Sequence, residues 1–134
     1  MQTLSPRIPV SAKIFGWILV AAGLFFAWVY MAAPGSFFPG VSITSHSEQF
    51  GLYSTGVRIL GSVLGLVIAL LLDSAALLAL MIATRVFIEL GDVVVGLVIN
   101  SGTPDANTFT LLVLAAVEAF FVVLLVRTVR AHRS

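Results

Sequence analysis

Four apolar runs follow one another along the chain, at about residues 14–33, 55–72, 75–98 and 109–126. Each run approaches the roughly 20 apolar residues that a helix needs to cross a bilayer. Turn-forming residues separate the runs: Pro34 and Gly35, then Asp73 and Ser74, then the stretch NSGTPDANT. The pattern predicts an all-α fold, a bundle of four transmembrane helices. Ser45–Leu52, before the second run, is predicted to hold a further short helix.

Composition supports a membrane environment. Hydrophobic residues make up 60% of the chain and charged residues 10%, and the mean hydropathy is +1.13. Soluble domains carry about 25% charged residues, and a small soluble domain cannot hide so much apolar surface. We therefore expect residues 1–134 to form one membrane domain whose main partner is lipid.

The basic residues predict the orientation of the bundle. Five of the seven lie outside the apolar runs, near the two ends of the chain, whereas residues 34–54 and 100–108 contain no Lys or Arg. Because basic residues favour the cytoplasmic side, both termini are predicted to be cytoplasmic in a multi-pass protein of the inner membrane. Residues 1–13 and 127–134 would then be cytoplasmic tails, and 34–54 an outer loop. No basic stripe suits nucleic acid.

Several kinds of chemistry are excluded by composition. The chain has no cysteine, which excludes disulfides and thiolate metal sites. Its two histidines, His46 and His132, lie in a predicted loop and in the C-terminal tail. A haem held by paired intramembrane histidines is therefore excluded, and we expect neither a cofactor nor a metal ion.

The stretch RVFIELGD places Arg85, Glu89 and Asp92 inside the third apolar run. At 100° per residue these three side chains share one face of a helix, and in a membrane such a face must point into the bundle or a wet cavity. With a rise of about 1.5 Å per residue, Glu118 of the fourth helix lies at about the depth of Glu89. Arg58 of the second helix lies near the level of Asp92.

These charges predict specific ion pairs: Arg85 with Glu89, Arg85 with Glu118, and Arg58 with Asp92. One acid is then in excess, and burial favours its neutral form. We assign candidate catalytic roles to all five residues. Glu89 or Asp92 would be the acid or base with Glu118 as its partner, and Arg58 and Arg85 would orient or stabilise charge.

Small residues predict where the helices approach closely. Gly16, Gly23 and Ala27 form one stripe of the first helix, and it leads to Tyr30. Gly61 and Gly65 form a small-xxx-small pair on the second helix, a pattern that allows close contact between membrane helices. Tyr30 itself is interpreted as an anchor at the membrane interface.

Several stretches resemble a bacterial family of small four-helix integral membrane proteins of uncharacterised function, distantly DoxX-like. They are MAAPGSFFPG, YSTGVRILGSVLGLVIALL, TRVFIELGD and VEAFFVVLLVR. The resemblance covers nearly the whole chain. It implies a four-helix bundle with a polar interior that involves Arg58, Arg85 and Glu118.

Three functions remain open at this point. The charged interior would bind or transform a small lipophilic molecule by acid–base chemistry, which leaves open whether the protein is an enzyme. Alternatively, the protein is a non-enzymatic accessory or structural subunit of a membrane complex. A proton-coupled carrier ranks last, since it would need a homo-oligomer and the chain shows no internal repeat.

Overall fold

The structure is a computed structural model that describes residues 6–32, 45–99, 101–104 and 106–133. These residues form four α-helices in chain order: α1 Val10–Ala32, α2 His46–Leu71, α3 Ala75–Ile99 and α4 Ala106–Arg133. The all-α, four-helix prediction is confirmed. Three stretches are long and apolar enough to cross a membrane, namely Val10–Ala32, His46–Leu71 and Thr108–His132. Helix α3 has a similar length but carries three charges, Arg85, Glu89 and Asp92.

Helix α2 begins at His46, so the prediction of a loop up to residue 54 is wrong for its last part. A capping box starts the helix early: Ser45 Oγ accepts from the Glu48 N–H at 3.2 Å, and Glu48 Oε2 accepts from the Ser45 N–H at 3.1 Å. These contacts satisfy N–H groups that would otherwise lack partners. The short helix predicted at Ser45–Leu52 is thus the first part of α2, and residues 34–44 lie outside the described residues.

The outer helices also exceed their predicted spans. Helix α1 begins at Val10 rather than residue 14, because the Pro9 carbonyl accepts the first helical bond from the Lys13 N–H at 2.9 Å. Helix α4 continues through the basic tail to Arg133 rather than ending at 126. The tail contains neither Gly nor Pro, and arginines near a helix C-terminus interact favourably with the helix dipole.

The turn between α2 and α3 is closed by its own backbone. The N–H groups of Asp73 and Ser74 donate to the carbonyls of Leu70 and Ala69, both at 3.2 Å, which is a Schellman motif with Asp73 at the left-handed position, φ 49°. Ser74 Oγ accepts from the Leu77 N–H at 3.3 Å. Ser74 is therefore the N-cap that starts α3.

The N-terminal segment is tied to this turn. Asp73 Oδ1 accepts from the Ile8 N–H at 3.3 Å and pairs with Lys13 Nζ at 3.0 Å, while the Ala75 N–H donates to the Pro6 carbonyl at 3.1 Å. The Lys13 hydrogen bond lowers the pKa of the Asp73 carboxyl. Three bonds thus hold the start of the chain against the α2–α3 turn.

Glycines mark the contact between α1 and α2. Gly16 lies against Leu70 and Gly23 against Val63, and both glycines are buried. The α1 stripe is thus confirmed as a packing surface. The predicted role of Gly61 is wrong, because this glycine is exposed and has no neighbour within reach of a Cβ, whereas Gly65 faces a side chain of α3.

The four helices associate as two pairs. Helix α1 packs along α2, α4 packs along α3, and the two pairs meet mainly through α2 and α3. Apolar side chains fill the half of the bundle nearest the α2–α3 turn: Ile8, Ala12, Leu19, Val20, Val63, Leu66, Ala69, Leu70, Ala75, Leu78, Ala79, Ile82 and Leu125. Beyond this core, toward the α3–α4 connection, lie five charged residues: Arg58, Arg85, Glu89, Asp92 and Glu118.

Candidate functional site

Helix α3 has one charged face and one apolar face. Arg85, Glu89 and Asp92 recur at spacings of four and three residues, which places them on one side of the helix. Large apolar side chains are exposed on the remaining surface: Phe87, Leu90, Val94, Val95 and Val98. The predicted inward placement of the charges is confirmed, since all three contact other helices or one another.

Arg85 is the centre of the deeper charge cluster. Its Nε donates to Glu118 Oε1 at 2.9 Å, its Nη2 to Glu89 Oε1 at 3.1 Å, and its Nη1 to Ser62 Oγ at 3.4 Å. One guanidinium thus joins α2, α3 and α4. Both predicted Arg85 pairs are confirmed. Hydrogen bonds to charged groups are about twice as strong as neutral ones, so this contact fixes the relative positions of three helices.

The two acids of this cluster are buried and incompletely bonded. Glu118 is fully buried and Glu89 is 6% exposed. Each carboxylate uses Oε1 for Arg85, whereas its Oε2 is buried without a hydrogen-bond partner among the described residues. A buried polar atom without a partner costs about 1–3 kcal/mol, and more when charged. These two oxygens are therefore the least satisfied polar atoms of the site.

A second ion pair lies one to two turns away. Arg58 Nη2 donates to both carboxylate oxygens of Asp92, at 3.2 and 3.4 Å, which joins α2 to α3. The predicted pair is confirmed, and with side chains 48% and 41% exposed it is far less buried than the Arg85 cluster. Tyr30 of α1 lies close enough to both residues to feel their charges. Tyr30 belongs to this site rather than serving only as an interface anchor.

A cavity of about 350 Å³ runs along these charges. All four helices contribute to its wall, so it lies between the α1–α2 pair and the α3–α4 pair. Its charged and polar lining consists of Tyr30, Thr55, Arg58, Ser62, Arg85, Glu89, Asp92 and Thr110, and the rest is mostly apolar, including Phe15, Ile18, Leu19, Phe26, Leu111 and Leu114. Small-molecule sites share this combination of an apolar wall and a few polar groups.

The cavity has a lateral opening at its exposed residues. Four residues that line the cavity are also exposed on the outer surface of the bundle: Ile18, Phe26, Arg58 and Thr110. The opening therefore lies along α1 and α4 and also beside Arg58 of α2. Toward the α2–α3 turn, the rings of Phe15 and Phe121 stack with their centroids 4.0 Å apart and hold α1 against α4.

A second hollow, of about 380 Å³, lies between α3 and α4 near the end of the bundle that holds the α2–α3 turn. Alanines and valines form most of its wall, and Arg130 is the one charged residue that lines it. This hollow contains no residue of the charge clusters. The first cavity is therefore the candidate site.

Four of the five predicted site residues line the cavity: Arg58, Arg85, Glu89 and Asp92. Glu118 is fully buried and does not line the cavity, but it bonds Arg85 and lies beside the Glu89 carboxyl, and both of these residues line it. Ser62, Thr55 and Thr110 were not predicted as site residues. Ser62 lies four residues after Arg58 and Thr55 three residues before it, so helical spacing could have placed both on the Arg58 face. Thr110 lies in the first turns of α4 and carries no such signal.

Metal binding has no support in the part of the chain that the structure describes. There, no group of three or more His, Asp or Glu residues is arranged to hold a metal ion. The two buried acids instead share an arginine, which occupies the position that a cation would take.

Comparisons of the chain with family models, with curated proteins and with solved structures find no match.

Proposed function

We propose that this protein is a four-span membrane protein that binds a small amphipathic molecule in its charged cavity. The single observation that carries the proposal is a cavity of about 350 Å³ with four charged residues on its wall. Its volume lies at the lower end of the roughly 300–1,000 Å³ typical of small-molecule sites. If each non-hydrogen atom takes the ~30 Å³ of a water molecule, on the order of a dozen atoms fit.

In this proposal α3 crosses the membrane together with the other three helices. An unpaired charge near the bilayer centre costs about 2.5–3.5 kcal/mol on insertion scales, and the ion pairs to α2 and α4 offset that cost. Both termini lie on the cytoplasmic side of the inner membrane, because the basic residues concentrate near the two ends of the chain. The lateral opening then faces lipid.

Glu89 is the group placed to exchange a proton with the bound molecule. It lines the cavity, and its Oε2 has no hydrogen-bond partner among the described residues. Arg85 holds the other oxygen, and Glu118 lies behind Arg85 as a second carboxyl group. This arrangement suits acid–base chemistry on the ligand, with Arg58 and Asp92 orienting its polar end.

The alternative, a subunit of a membrane complex, has less support. It expects charges that pair across helices or with a partner chain, and an interior without an open cavity. The ion pairs of the chain fit both functions, but the cavity beside them favours a ligand.

The absence of cysteine permits a direct test. In Ser62→Cys the new thiol lies on the cavity wall, and the long 3.4 Å contact with Arg85 limits the disturbance. The matched control, Ala69→Cys, lies two turns further along α2 in the fully buried core, away from the cavity. Both variants are reacted with methyl methanethiosulfonate in mild detergent, and modification is followed by intact mass spectrometry.

We expect rapid modification of the Ser62→Cys thiol and little modification of the Ala69→Cys thiol. An eight-carbon amphiphile that enters the cavity should slow the reaction at residue 62. The proposal would be abandoned if the two thiols reacted equally, or if n-octylamine, n-octanol and octanoate all left the rate at residue 62 unchanged. Circular dichroism of each variant verifies that its helices are intact.

A further inference from the structure

The arginine that joins the two buried acids has little capacity left for a ligand. Arg58 binds both oxygens of Asp92 through Nη2 alone, and its side chain is half-exposed. Arg85 uses Nε, Nη1 and Nη2 for Glu118, Ser62 and Glu89. A pair of arginines beside a cavity would ordinarily indicate an anionic ligand, because guanidinium groups bind carboxylates and phosphates well. Here acids of the chain itself occupy that role.

The unused capacity belongs to acceptors. The Oε2 atoms of Glu89 and Glu118 are buried and have no hydrogen-bond partner in the described part of the chain. Glu89 also lines the cavity. The charge count points the same way, since two arginines face three acids, Glu89, Asp92 and Glu118, which leaves one negative charge in excess when all are ionised.

We infer that the cavity selects a lipophilic amine, with the ammonium group bound at Glu89 and the alkyl chain against the apolar wall. This inference rests on the proposed function and names the class of its ligand. A protonated amine donates up to three hydrogen bonds and carries the single positive charge that balances the site. Charge-assisted hydrogen bonds of this kind are about twice as strong as hydrogen bonds between neutral groups.

The apolar wall leads from Glu89 to the lateral opening. Ile88 and Leu114 line the cavity beside the charges, and Ile18 and Phe26 lie at its exposed rim on α1. An alkyl chain of about eight carbons plus one polar group matches the dozen or so atoms that the volume admits. The ammonium would then lie deep and the chain would point toward lipid.

The test uses three probes with the same chain length and different polar ends: n-octylamine, n-octanol and octanoate. Each is titrated against the modification rate of Ser62→Cys, and half-protection concentrations are compared. We expect n-octylamine to protect at a concentration at least about tenfold lower than either other probe, as one charge-assisted hydrogen bond implies.

A second pair of variants locates the selectivity. Glu89→Gln, combined with Ser62→Cys, removes the negative charge at the cavity wall while keeping the side-chain shape. Glu48→Gln makes the same chemical change at the first turn of α2, an exposed position outside the cavity. The preference for n-octylamine should fall about tenfold or more in Glu89→Gln and stay unchanged in Glu48→Gln.

The outcomes separate the two proposals. If none of the probes protects the thiol, the proposed function itself fails. If n-octanol or octanoate protects as well as n-octylamine, a binding cavity remains but the amine inference is overturned. Equal protection by all three would show that the excess acid is already neutralised by a proton. Octylamine selectivity that survives Glu89→Gln would overturn the assignment of Glu89.

Discussion

Replacing Arg85 by methionine tests how the bundle carries its buried charges. The substitution keeps an unbranched side chain of similar length and removes the guanidinium that bonds Ser62, Glu89 and Glu118. Both glutamates then lose the guanidinium donor at Oε1, while Glu118 remains fully buried. The variant therefore converts a bonded network into two buried acids without a counter-ion.

The expected loss is large. Removing one partner of a buried ion pair typically costs about 3–5 kcal/mol. An unpaired acid can take up a proton instead, which costs about 4 kcal/mol at neutral pH for an ordinary glutamate. The cost of leaving an acid ionised without its partner and the cost of protonating it are thus similar. We therefore expect Arg85→Met to lower the free energy of unfolding by about 3–5 kcal/mol, a large part of the stability of a small domain.

Glu118→Leu should behave differently. Arg85 would keep Glu89 and Ser62 as partners, and the remaining pair would be balanced in charge. We expect this variant to lose less stability than Arg85→Met. The double variant Arg85→Met/Glu118→Leu should recover about 1–3 kcal/mol relative to Arg85→Met, because one of the two orphaned acids is gone.

These stabilities are measured by titrating the folded protein in mild detergent with sodium dodecyl sulfate and following the helical circular dichroism signal. All variants are compared at one pH and one protein concentration. The reasoning is refuted if Arg85→Met is as stable as the parent protein. It is also refuted if the double variant is no more stable than Arg85→Met, since the orphaned acids would then not be the source of the loss.

Two further predictions concern packing and the N-terminal tie. Gly23→Ala should destabilise the protein by about 1–3 kcal/mol, because the added Cβ would overlap Val63. Gly61→Ala, in open space, should be neutral or slightly stabilising. Equal unfolding midpoints for the two variants would contradict this packing argument. Asp73→Asn should be less stable than the parent near pH 6. Because Lys13 lowers the pKa of Asp73, the higher stability of the parent protein over Asp73→Asn should be lost as pH falls below about 4. A stability difference between the two proteins that persists at pH 2 would argue against the ion pair as its source.

The sequence was most informative about elements whose pattern spans many residues. Four apolar runs predicted four helices, and helical spacing placed Arg85, Glu89 and Asp92 on one face, as the structure has them. Helical spacing predicted the pair within α3, and estimated depth predicted the two pairs between helices. Such pairs are predictable because a charge in an apolar bundle has few partners within reach.

Helix ends and helix contacts were less predictable. The start of α2 at His46 depends on the reciprocal capping of Ser45 and Glu48, which outweighs the polar composition that suggested a loop. Gly61 and Gly65 are equally small, yet only Gly65 faces a neighbouring helix. The cavity could not be predicted at all, since it depends on how the two helix pairs are spaced and not on any local pattern.

The balance of charges distinguishes a binding site from a network that only fixes helix register. A purely structural network is most stable when every donor meets an acceptor, because buried polar atoms without partners are costly. Here the two arginines are bonded through five contacts within hydrogen-bonding distance. The acids instead retain two buried oxygens without partners among the described residues. Among the buried side-chain atoms of the described residues, the unmet need is therefore for a donor, and this supports the proposed amine ligand.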